Sequence, residues 1–178
     1  GSNALYEDES IQLTSIDVYR TDFTDLVCDG HYLPFKESYF DGVWIQAVLE
    51  HVVEPQVVVS EIYRVLNKNG LVYAETPFMQ QVHEGAYDFS RYTVLGHRYL
   101  FRDFDAICIG GIGGAEVALS WSLRYFVLAI TNSTRLARLI GFFSTLLLRP
   151  FSFLIKKHSL YDSSSGVFFL GRKSTHRL

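Results

Sequence analysis

The sequence predicts an α/β fold built on a mostly parallel sheet. Short apolar runs rich in β-branched residues alternate with helical patterning through the first hundred residues. Polar or acidic residues stand where several of those runs end, as they do in open sheets whose ligand crevice lies beyond the carboxyl ends of the strands. The last run, SSGVFFLGRK at 164–173, alternates in character and reads as a final strand.

The elements follow in chain order. IQLTSIDVY (11–19) is a strand with an acidic exit at Asp17, and DLVCDG (25–30) is a second that ends on Asp29 and Gly30. YFDGVWIQAV (39–48) is a third, running into a helix start near Glu50 and His51. Pro55 opens a helix in which Val58, Ile62, Val65 and Leu66 share one face, and Asn69-Gly70 supplies the stop. LVYAETP (71–77) is a fourth strand, followed by a long loop, a helix at 94–101 and a fifth strand at 104–110. GGIGG (110–114) lacks the third glycine of a dinucleotide fingerprint and reads as a tight turn into a helix around 118–130.

With 178 residues, 48% of them apolar, the chain is long enough for one domain with a sizeable core, 1–178. Cys28 and Cys108 lie in apolar runs and read as buried thiols of a reducing, cytoplasmic compartment. Charge is unevenly spread. Residues 1–130 hold eight Lys/Arg against eighteen Asp/Glu, and residues 131–178 hold eight against one. An acidic body without an aromatic-basic platform excludes a nucleic-acid partner, while the basic end suits an anionic surface or the acidic body itself. The most apolar stretch, 136–157, is interrupted by Arg138 and Arg149. Its uncharged centre, 139–148, is short of the roughly 20 residues that a span requires. It is expected to be helical and to cover the sheet, its aromatics packed as ordinary core. Peripheral insertion into a membrane interface is the alternative.

Taken together, Asp29-Gly30-His31, Leu33-Pro34-Phe35, Phe40-Asp41, Val48-Leu49-Glu50-His51-Val52, Glu61-Ile62-Tyr63-Arg64-Val65-Leu66 and Gly70 resemble the class I S-adenosylmethionine-dependent methyltransferases, which implies their Rossmann-like sheet, mostly parallel with an antiparallel C-terminal strand. Pro77-Phe78, His83 and Tyr87-Asp88-Phe89-Ser90-Arg91-Tyr92-Thr93 resemble the subgroup associated with surface-polysaccharide and lipid-linked glycan pathways. The resemblance implies S-adenosylmethionine as cofactor, with S-adenosylhomocysteine as product, and methyl transfer to a small-molecule or lipid-linked sugar acceptor. It places Asp17 at the cofactor ribose, Asp29 and Gly30 at the adenine, and Gln46, Ala47 and Val48 under the methionine end. His83 and His51 become candidate bases with Asp88 as orienter, and Tyr87, Arg91 and Tyr92 line the acceptor pocket. His31, His51, His83 and Asp29 have no compact metal-ligand spacing, so no metal is expected.

One element of the family is not found. Its glycine-rich cofactor loop follows a first, central strand, and 11–16 is already the second. GSNA at the start is either a cloning remnant or the stump of that loop. A missing central strand implies a truncated domain and a gap of about 9.6 Å. Three closures are expected: the 11–17 strand slides over to pair with 39–48, a second copy pairs edge to edge as a homodimer, or a segment outside this chain fills the gap. The competing function is a non-catalytic scaffold on a degenerate methyltransferase fold, since Asp17 and Asp29 accept hydrogen bonds and cannot replace the loop's N–H donors.

Overall fold

In the computed structural model, residues 11–83, 85–155 and 160–174 are described. The main sheet has four strands, β3 (Phe40–Gln46), β4 (Leu66–Pro77), β5 (Phe104–Ile112) and β6 (Gly166–Lys173), in the spatial order β3-β4-β6-β5. β3 and β4 are parallel, and β6 runs antiparallel to both β4 and β5. The expected α/β sheet with an antiparallel last strand is what the chain adopts; the main sheet is mixed rather than mostly parallel, because β6 inserts between β4 and β5.

The first two strands are much shorter than their sequence runs. β1 (Ile16–Asp17) and β2 (Leu26–Val27) pair in parallel as a separate two-stranded sheet. Residues 11–13 are exposed and pair with nothing described, so β-branched composition alone does not extend β1. The expected sliding of 11–17 onto 39–48 does not occur, since β1 pairs only with β2. Among the described residues, no strand pairs with the far edge of β3. Asp41, Gly42, Trp44 and Gln46 are exposed there, so water can satisfy backbone groups that burial would have left unpaired.

Helix α1 (Pro55–Val65) starts at its proline and ends where Leu66 turns to extended backbone. Its buried face, Val58, Val59, Ile62 and Val65, is the 3.6-residue stripe read from the sequence. Val58, Val59 and Ile62 of that stripe pack with Ile45, Val72, Ala74, Phe101, Phe104 and Phe169 into the main core. Phe101 stacks on Phe169 with ring centroids 4.7 Å apart. The helix ends before the stop expected at Asn69-Gly70, because Leu66 already turns to extended backbone; Asn69 falls inside β4, where it takes a positive φ of 64°. A Cβ at the following Gly70 would sit 2.9 Å from the Asn67 carbonyl oxygen, so the turn requires glycine there.

The Glu61–Arg64 pair on the same helix explains part of the motif series. Arg64 donates to the carbonyls of Phe35 and Leu33 at 2.7 and 2.8 Å, and Glu61 accepts from the Leu33 amide at 3.0 Å. The Leu33-Pro34-Phe35 segment is thus strapped onto α1 by two charged side chains that also pair with each other.

Helix α2 (Val94–Leu100) is capped by the Thr93 hydroxyl, which accepts from the Gly96 amide. Gly113, with φ of 62°, and Gly114, the cap of helix α3 (Ala115–Thr131), make the turn and helix entry read from GGIGG. Helix α4 (Thr134–Leu148) follows after Asn132 and Ser133 and continues as a 3₁₀ stretch, Arg149–Leu154. A short helix, α5 (Leu160–Ser163), precedes β6.

The structure corrects two expectations in this half. The α3–α4 hairpin does not bury its aromatics on the sheet, because Phe142, Phe143, Phe151 and Phe153 are all exposed, Phe153 by 80%. The helix expected from 136 onward is present, with Arg138 and Arg149 within it. Thr134–Leu154 is one helical stretch of 21 residues, long and apolar enough by length and composition to cross a bilayer. Lys156 and Lys157, also placed on this helix, lie outside the described residues. Cys108 is exposed rather than buried, because β5 is an edge strand with one face uncovered, and Cys28 is half-buried.

Candidate functional site

Two groups of side chains stand at the ends of strands. The first belongs to β1 and β2. Asp17 ends β1 and accepts from the Tyr19 amide through Oδ1 at 3.0 Å, which leaves Oδ2 without a protein partner. Two residues beyond β2, Asp29 Oδ1 accepts from the His31 amide at 2.9 Å and meets His31 Nδ1 at 2.6 Å. These bonds, the backbone one first, hold the Asp29 carboxyl below its usual range. Because β1 and β2 are parallel and in register at Asp17 and Val27, the two carboxylates leave the small sheet at the same end. Gly30 lies over Val58 of α1, where an added Cβ would make ordinary contact at 3.4 Å.

The second group stands beyond β3. Gln46 is its last residue and donates to Glu75 Oε2 at 2.7 Å, and the Tyr73 hydroxyl donates to the other Glu75 oxygen. Burial and that carboxylate push the Tyr73 hydroxyl well above its ordinary range. Ala47 takes a positive φ of 52°, a strained conformation for a residue with a Cβ, and reverses the chain into a 3₁₀ turn, Leu49–His51. Ala47 and Val48 are exposed.

The turn presents Glu50 and His51 to the loop after β4. His51 Nδ1 lies 2.6 Å from the Tyr87 carbonyl oxygen, so Nδ1–H donates and Nε2 is the open nitrogen. His83 packs edge-on against His51, with ring centroids 5.0 Å apart. Asp88 Oδ2 accepts from the His83 amide at 3.0 Å and lies 3.4 Å from His83 Nδ1. The two candidate bases thus stand side by side, with the Asp88 carboxylate next to His83.

Arg91 is a different matter. It donates to both Asp88 oxygens and to the carbonyls of Gln80, Gln81 and Ser90. Those contacts use all five N–H groups of a guanidinium. Arg91 holds the loop and has no donor left for a substrate. Its bonds to Asp88 keep that carboxyl far below the usual range, hence ionised. Tyr87 is largely exposed, and Tyr92 leans on His97 with centroids 5.9 Å apart.

The residue that sequence reading passed over is Glu50. It is completely buried, both carboxylate oxygens are without hydrogen bonds, and burial raises its pKa. Its Oε1 lies 3.7 Å from His51 Nε2. One ligand atom from each of Glu50, His51 and His83 fits within 4.8 Å, an arrangement able to hold a divalent cation. The signal in the sequence was an acid placed directly after an apolar run, and that pattern cannot say which way the side chain points.

Residues 6–74 match a family described as a methyltransferase domain. No curated protein matches the chain. Among solved structures, the cyclase SpnF is similar at 14% identity with a TM-score of 0.59, covering 97% of this chain and 70% of that one. A candidate methyltransferase seen in complex with the Trm112 activator of Haloferax volcanii is 20% identical with a TM-score of 0.53, covering 90% and 65%. A candidate methyltransferase from Bacillus halodurans is 14% identical with a TM-score of 0.52, covering 91% and 81%. The methyltransferase-like fold extends over nearly the whole chain, and one relative in fold being a cyclase shows that the fold does not fix the reaction.

Proposed function

We propose that the protein transfers a methyl group from S-adenosylmethionine to a hydroxyl of a small, glycan-pathway acceptor, free or lipid-linked. The observation that supports this most is the pair of carboxylates, Asp17 and Asp29, leaving adjacent parallel strands at one end, each with an oxygen to spare. Asp17 suits the two vicinal hydroxyls of a ribose, since a carboxylate accepts twice. Asp29 suits the exocyclic amine of an adenine over Gly30. Gln46, Ala47 and Val48 offer an exposed, strained turn on which a methionine chain can rest.

When bound, S-adenosylmethionine supplies an electrophilic methyl on a positively charged sulfur. The protein aligns the acceptor oxygen with it and removes the acceptor proton. His51 is suited to accept that proton, because the Tyr87 carbonyl engages its Nδ1–H and no hydrogen bond occupies Nε2 among the described residues. His83, braced by Asp88, packs beside it.

Calorimetric titration with S-adenosylhomocysteine tests the reading. Stoichiometric binding is expected, weakened about tenfold or more by Asp17→Ala through the loss of hydrogen bonds to a charged group. No binding would favour the non-catalytic scaffold, and binding untouched by Asp17→Ala would remove the ribose assignment.

A further inference from the structure

Helices α3 and α4 are built inside out for a protein in water. Their seam is polar and close. The Ser120 hydroxyl bonds to the Gly141 carbonyl at 3.1 Å and meets the hydroxyls of Ser144 and Thr145 at 2.8 and 2.7 Å. Gly141 has no room for a side chain without moving Arg124, whose atoms lie 3.2 Å from a built Cβ. Small residues and hydroxyl bonds at a helix seam are how helices associate in an apolar medium.

The outward faces are the reverse. Leu119, Leu123, Phe126 and Ile130 on α3, and Leu136, Ile140, Phe143 and Leu147 on α4, each follow i, i+4, i+7, i+11 and form a stripe on one face. All eight are exposed. A core helix of this composition is mostly buried, yet only 11% of the apolar window in Thr134–Leu154 is.

At 100° per residue both stripes point away from a groove on the other side of the hairpin. That groove, of about 320 Å³, is lined by Trp121, Arg124, Arg138, Phe142 and Arg149 among others. Residues 117–155 contain four arginines and no carboxylate, and no described carboxylate pairs with Arg124, Arg138 or Arg149.

We propose that this hairpin docks the protein on an anionic lipid surface, lying flat, with its two apolar stripes in the acyl boundary and Arg124, Arg138 and Arg149 on lipid phosphates. Flat docking follows from the arginines. An upright hairpin would carry Arg124 and Arg138 into hydrocarbon, whereas a flat one keeps them at headgroup depth. A second copy is the poorer occupant. Pairing through the stripes would leave Arg124, Arg138 and Arg149 without an anion, and pairing through the grooves would oppose arginines to arginines. The inference does not depend on methyl transfer.

The test is flotation of the whole protein with phosphatidylcholine vesicles, with and without phosphatidylglycerol, alongside its sedimentation velocity. Binding is expected to require the anionic lipid and to fall with salt. Arg138→Gln and Arg149→Gln should each weaken it by about fivefold. Phe143→Ser with Leu147→Ser should weaken it by at least about tenfold. All four positions are exposed, so circular dichroism should show unchanged folding. Equal binding to neutral vesicles would overturn the phosphate assignment. A dimer that binds no vesicle and dissociates in the Phe143→Ser, Leu147→Ser variant would replace the lipid with a second copy. A monomer that binds neither vesicle would end the proposal.

Discussion

Helices α1 and α4 carry similar amounts of apolar side chain and do opposite things with it. α1 turns Val58, Val59, Ile62 and Val65 onto the sheet and leaves Gln56, Ser60 and Arg64 outward or half-buried. α4 turns Ala137 and Ser144 inward, with Gly141 half-buried beside them, and leaves Leu139, Phe143 and Leu147 outward. The difference lies in where the small and polar residues fall. In α1 the large side chains share one face and the polar ones the other. In α4 the small residues share one face, a seam too close for large side chains, and the large ones take the rest of the circumference. Amphipathicity alone does not say which side meets the protein; residue size on the narrow face does.

The same substitution on the two helices breaks or upholds that contrast. Ile62→Ser, at a position 2% exposed in the core, should lower the unfolding free energy by about 4 kcal/mol in urea, the combined loss of buried apolar volume and the introduction of a buried hydroxyl. Leu147→Ser, on the outer face of α4, should change it by no more than about 0.5 kcal/mol in the absence of lipid. If the two were to cost the same, the hairpin would be packed in solution against something the single chain does not contain.

Between these extremes lies a pH effect set by two buried groups with unpaired atoms. His97 is 1% exposed, both ring nitrogens lack partners, and burial lowers its pKa to about 4. The unfolded chain binds the proton first, near its ordinary value of 6.5. Stability should therefore fall as pH drops from that value to about 4, by about 3 kcal/mol in all. His97→Leu should remove this slope in urea melts recorded across that range. Glu50 runs the other way. Its raised pKa means that its contribution is present below 4.5 and lost as pH rises through the folded value. Glu50→Gln should remove that loss on the alkaline side while leaving the acid slope to His97.

Much of the site's neighbourhood was readable because it follows from local rules. The strand exits at Asp17, Asp29 and Gln46, the start at Pro55, the turn at Asn69-Gly70 and the glycine entry to α3 are each set by residues near in sequence. The loop motif around His83–Thr93 was recognisable, but the role of Arg91 was not. A guanidinium that meets one carboxylate and three carbonyls can be counted only when the loop has closed on itself. Glu50 was invisible for the same reason, since its isolation depends on what packs around the turn.

The sequence by itself determined the periodicities, and through them the class of fold and the order of its elements, because side-chain spacing and turn chemistry act over a few residues. Only the tertiary structure decided that β1 and β2 stand apart from the main sheet, that Arg91 serves the loop, and that α3 and α4 face outward. Those outcomes depend on which surfaces are left for an element to pair with or cover, and that is a property of the whole chain in space.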